Sequence, residues 1–72
     1  MSDFKYQILE NYGVLSVSDN GWTKELNLVS FNDQIPKYDI REWSPDRRKM
    51  SRGLRFEKAE LIKLGDIISD LE

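Results

Sequence analysis

The chain has 72 residues, no cysteine, no histidine and a formal charge of −2 from 11 Lys/Arg and 13 Asp/Glu; disulfide staples, thiolate metal sites and the commonest catalytic base are thereby excluded. One domain of that length, residues 1–72, buries only about 60% of the surface its unfolded form exposes, which leaves self-association as the available staple. No apolar run approaches the roughly 18 residues of a membrane span, and MSDFKYQILE lacks the apolar centre of a signal peptide, so the expected location is cytoplasmic, with no membrane partner.

From Phe4 to Ser18 the chain is rich in aromatic and β-branched residues, with a bend or bulge near Asn11 to Gly13; it reads as one long curved strand or two short ones. Asn20-Gly21 is a strong hairpin signal, since both residues take positive φ at little cost. Trp22 to Phe31 is the returning strand, NDQIP the next turn, and Lys37 to Trp43 the third strand. SPDRRKMSRG opens with a turn signal, has no periodicity and reads as a surface loop. Leu54 to Phe56 suits a short fourth strand.

The tail changes period. Leu61, Leu64, Ile67, Ile68 and Leu71 recur at the three- and four-residue steps of an amphipathic helix, with Glu57 at its N-cap and Gly65 suggesting close packing. The expected fold is α+β: a curved four-stranded antiparallel sheet followed by one C-terminal helix, β-β-β-β-α. One helix covers only one face of such a sheet, so the other is open to water, a ligand or a second subunit. That face cannot use the whole apolar stripe, so Leu61, Leu64, Ile68 and Leu71 are expected to meet the helix of a second copy in a homodimer.

Charge is unevenly spread. Between Lys37 and Lys58 lie eight cations and four acids, while the remainder carries three cations and nine acids. Alternation along the third strand puts Lys37, Asp39, Arg41 and Trp43 on one side and Tyr38, Ile40 and Glu42 on the other. With Ile40, Leu26 and Leu28 taken as the core side, Arg41, Trp43 and Phe31 fall on the open face. Rings interleaved with cations suit single-stranded nucleic acid, in which bases stack and phosphates meet Lys and Arg. Asp39 and Glu42 are expected to orient Arg41 and neighbouring lysines through charge-assisted hydrogen bonds.

KYDIREWSPDRRKMSRGLRF followed by an amphipathic helix resembles the C-terminal domain of the eukaryotic transcriptional coactivator positive cofactor four. The whole chain, including GWTKELNLVSF, is similar to the small stand-alone bacterial members of that family, the YdbC-like proteins. The resemblance implies a homodimer whose sheets form a positive channel for single-stranded DNA, with little sequence preference and no cofactor or small-molecule substrate. The family's roles carry over to Arg41 in the Asp-Ile-Arg motif and to Trp43 beyond it. They extend to Lys37 and the loop cations Arg47, Arg48, Lys49 and Arg52, and to Trp22 and Lys24 near the hairpin. Phe31 joins them as a further ring on the open face.

An enzyme is not expected, because the chain offers no nucleophile–base pair, no Gly-rich phosphate loop and no metal-ligand spacing. Two other readings stand beside single-stranded DNA: RNA, distinguished by contacts to the 2′-hydroxyl, and a protein-interaction module that docks a transcription or replication component on the open sheet.

Overall fold

A computed structural model describes residues 5–71, and the strand-forming runs appear in it as β1 (Tyr6–Val17), β2 (Thr23–Phe31), β3 (Lys37–Trp43) and β4 (Leu54–Phe56). They form one antiparallel meander in the order β1-β2-β3-β4, followed by the helix α1 (Lys58–Ser69). The α+β architecture expected from the sequence is therefore present. Among the described residues no helix is long and apolar enough to cross a membrane.

β1 is a single strand, interrupted by three bulges that leave Leu9, Tyr12 and Leu15 without a partner in the β2 register. Each extra residue resets the alternation and increases the local bend. The first hairpin uses Gly21 alone at positive φ (87°), with the Gly21 N–H bonded to the Ser18 carbonyl at 2.9 Å; Asn20 does not share that conformation. The left-handed pair expected of a tight turn is found instead at Asn32 (φ 52°) and Asp33 (φ 63°), closed by the Gln34 N–H on the Phe31 carbonyl.

The segment from Ser44 to Gly53 is a continuation of the β3–β4 hairpin rather than an irregular loop. Trp43 bridges Met50, the Ser44 N–H bonds the Lys49 carbonyl at 2.9 Å, and the Ser51 N–H bonds the Glu42 carbonyl at 2.9 Å. Ser44 and Asp46 fold its tip: the Ser44 hydroxyl donates to Asp46 Oδ1 at 2.7 Å, which also accepts from the Arg48 N–H at 2.9 Å. At the helix start the reciprocal half of a capping box is supplied by Glu60, whose Oε1 accepts the Glu57 N–H at 2.8 Å.

The interior lies on the side opposite to the one expected. Alternation does put Arg41 and Trp43 on one face, but that face is closed: Trp43 and Asp39 are 0% exposed, and Val29 and Phe31 are buried with them. Curvature is the reason. Tyr6 pairs with Phe31 at one end of β2, and Trp43 pairs with Thr23 at the other, yet the Tyr6 and Trp43 rings meet at 5.1 Å. The sheet coils over the face bearing Trp43, while Leu26, Leu28 and Ile40 stay half-buried on the outer face.

Among the described residues the helix touches only β3 and β4 and contributes no buried residue. Gly65, expected to mark close packing, has nothing within 4 Å of where a Cβ would stand. Leu61 and Leu64 are half-buried, whereas Ile67, Ile68 and Leu71 are exposed.

Candidate nucleic-acid interface

Charges enter the closed face in pairs, which is how a small core tolerates them. Arg41 forks onto Asp39, Nε to Oδ2 at 2.8 Å and Nη2 to Oδ1 at 2.8 Å, so the orienting role expected of Asp39 is present as geometry. Arg41 is itself interior, with 11% of its side chain exposed and Nη1 reaching Met50 Sδ at 3.1 Å. Gly53 is the residue that lets it lie there, because a Cβ at 53 would come within 2.6 Å of Arg41 Nε and 2.8 Å of the Ile40 carbonyl oxygen. Glu42 contributes its backbone N–H to Ser51 Oγ. Phe31 is covered by two guanidiniums, Arg41 at 4.6 Å and Arg55 at 5.0 Å from the ring centroid.

The second pair joins Arg47 to Glu25. Arg47 Nη1 donates to Oε1 at 2.8 Å and Nη2 lies 2.7 Å from Oε2, while Thr23, Asn27 and Asn11 also donate to the same carboxylate. Burial pushes the Glu25 carboxyl up, but the bonds from Arg47, Thr23 and Asn27 outweigh it and hold the group below the usual carboxylate range. The same bond holds the Arg47 guanidinium above its ordinary value. Arg47 lies over the Trp43 ring at 5.9 Å, and its carbonyl accepts the Tyr6 hydroxyl at 2.7 Å.

Two costs meet at this point. Arg47 is held at φ 64°, a left-handed conformation worth about 1–2 kcal/mol for a residue with a Cβ. Trp43 Nε1 is buried with no hydrogen-bond partner among the described residues, which costs about 1–3 kcal/mol. Arg47 itself is half in water, with 46% of its side chain exposed.

The remaining cations of the expected site are arranged differently. Lys37 pairs with Glu57 at 3.6 Å. Lys24, Arg48, Lys49 and Arg52 are exposed and form no ion pair among the described residues. They gather at one end of the sheet: Lys24 opposes Glu42, the Ser44–Met50 hairpin tip follows from Trp43 opposite Thr23, and Pro45 lies 3.0 Å from the Cβ position of Gly21. Lys24 and Arg52 line an open groove of about 400 Å³ with Ile40, Glu42 and Leu54. Trp22, half-buried, stands at the same end.

Of the three rings expected to contact nucleic acid, only Trp22, placed near the hairpin, is partly accessible; Trp43 and Phe31, expected on an open face, are interior. Sequence reasoning did not single out Tyr6, Glu25, Asn27 or Arg55. A signal for Glu25 existed in parity, because it lies directly opposite Arg41 in the β2–β3 register and Asn27 opposite Asp39. Among the described residues no cluster of carboxylates could hold a metal ion.

No protein-family model matches the chain. It is 45% identical over 69 residues to an uncharacterized protein of Treponema pallidum (strain Nichols), a match covering 96% of this chain and 81% of the other.

Proposed function

The chain belongs to one family with the Treponema pallidum protein, and we propose that it is a non-enzymatic, homodimeric protein that binds single-stranded DNA with little sequence preference. The observation that carries this reading is the group of four exposed cations that form no salt bridge among the described residues, Lys24, Arg48, Lys49 and Arg52, beside Trp22 at one end of the sheet. Unpaired surface cations are free to exchange counterions for phosphates. A ring among them offers a stacking platform that any base accepts. Duplex DNA hides the faces of its bases, and α1 carries only Lys58 and Lys63 as cations, so it makes a poor recognition helix.

The second copy accounts for the outer surface. Leu9, Tyr12, Leu15 and Leu54 are exposed on the sheet, and Ile68 on the helix and Leu71 just past its end are 53% and 76% exposed. An uncovered apolar area of this extent on a 72-residue chain marks an association surface. Leu61, Leu64 and Ile68 are its helical part, continued by Leu71 beyond the C-cap, and Gly65 leaves room for close approach of another helix.

Equilibrium titration of tryptophan fluorescence with oligo(dT), oligo(rU) and duplex DNA at two salt concentrations tests the reading. Oligo(dT) is expected to quench the signal, with a log–log salt slope of about −2 to −3 for four phosphate contacts. Tighter binding of oligo(rU) would move the assignment to RNA. No change of fluorescence or mobility with any oligonucleotide at low salt would make the exposed face a protein-docking surface instead. Sedimentation equilibrium tests the dimer, and a monomer at all concentrations would overturn it.

A further inference from the structure

We infer that the Ser44–Lys49 hairpin tip is a latch that hides Trp43 until a phosphate takes Arg47 away from Glu25, and that the ring then stacks on a base. The inference rests on the single-stranded nucleic-acid reading and adds to it a closed state and the contact that keeps it closed. Arg47 lies over the Trp43 ring, forks onto the buried Glu25 carboxylate and, through its carbonyl, holds Tyr6, the other ring against Trp43. Its guanidinium is half exposed, so an incoming phosphodiester reaches it from solvent and offers the same bidentate geometry that Glu25 does. Arg48 and Lys49, adjacent and without ion pairs among the described residues, bring that phosphate to the right place.

The closed arrangement also carries its own incentive to open. The left-handed backbone and the unpartnered indole N–H belong to Arg47 and Trp43, whose side chains face each other, and both are relieved when the tip swings away and the indole N–H meets solvent or a ligand. Tyr6, its ring tilted against Trp43 and its hydroxyl bonded to the Arg47 carbonyl, is released in the same movement. Apparent affinity then equals intrinsic affinity scaled by the fraction of molecules with the latch open.

The test uses the full chain carrying Trp22→Phe, which leaves Trp43 as the sole tryptophan, and a fluorescently labelled oligo(dT). Anisotropy of the label reports binding, while emission of Trp43 and its acrylamide quenching report the latch. In the free protein Trp43 is expected to resist acrylamide; on binding, its emission should fall in parallel with the rise in anisotropy. Arg47→Lys keeps the charge but loses the fork, and Glu25→Gln loses the competing anion; each should raise acrylamide quenching of free Trp43 severalfold. Circular dichroism checks that both variants fold, and if Glu25→Gln does not, Arg47→Lys decides alone. Binding with unaltered Trp43 emission would overturn the latch and leave the nucleic-acid reading intact. No anisotropy change with this variant or with the unsubstituted chain would overturn both.

Discussion

Glu25 and Arg47, 22 residues apart in sequence, meet as a fork of 2.8 and 2.7 Å across the mouth of the coiled sheet, one buried and the other half in water. The pair ties the tip of the β3–β4 hairpin to the second strand, and acid should loosen it. The carboxyl of Glu25 is held below its ordinary value of 4.5, so its stabilising contribution is present above that pH and is lost as pH falls through the lower folded-state value. Asp46, bonded by the Arg48 N–H and the Ser44 hydroxyl, titrates with the same sign. Urea midpoints measured from pH 7 to pH 3 should decline below about pH 4.5, and the decline should be shallower in Glu25→Gln.

Removing the counter-charge of Arg41 should be far more damaging than removing a surface charge. Asp39→Asn leaves a guanidinium with 11% of its side chain exposed and no ion-pair partner, at a cost of about 3–5 kcal/mol. Chemical denaturation at fixed protein concentration measures the loss, and a change below about 1 kcal/mol would show that Arg41 finds water instead.

Gly53→Ala should destabilise by about 1–3 kcal/mol, because the nearest atoms include a backbone oxygen at 2.8 Å as well as the side chain of Arg41 at 2.6 Å. In a domain of this size that corresponds to a fall in Tm of roughly 4–8 °C per kcal/mol. Gly65→Ala, at a position with open space around it in the single chain, should stabilise the isolated helix and weaken self-association. Calorimetry and sedimentation together separate the two effects.

Neutralising the exposed cations should change binding and nothing else. Lys24→Ala, Arg48→Ala, Lys49→Ala and Arg52→Ala each remove a charge with no ion-pair partner among the described residues, so stability should shift by less than about 0.5 kcal/mol. The salt slope for oligo(dT) should become shallower by about 0.7 for each phosphate that is no longer neutralised. Unchanged slopes in all four would remove these residues from the interface.

Much of the fold was legible because strand runs and turn chemistry agree locally. Lys37–Trp43 and Leu54–Phe56 have the bounds their composition suggests, and the change of period after Phe56 marks α1. The choice of interior face was not legible. Hydropathy along β3 favours Ile40 over Asp39 and Arg41, but burial was decided by the coiling that brings Tyr6 onto Trp43, a contact between residues 37 positions apart. Polar residues then enter the core as matched partners, Asp39 with Arg41 and Glu25 with Arg47, and pairing is invisible to a scale that scores residues singly. The bulges of β1 obscured its faces too, although Leu9, Tyr12 and Leu15 recur every third residue, a spacing that a regular strand does not explain.

Those three bulges bear on how copies of the chain meet one another. A long β1 edge with regular spacing would be a template for adding strand after strand without limit; three displaced residues break its rhythm, so neighbouring molecules find no matching row of amides. In the proposed dimer contact falls instead on broad surfaces, where a two-fold pairing saturates and growth stops. For the proposed dimer that means a particle of fixed mass rather than a fibre, favoured by irregular spacing along one strand.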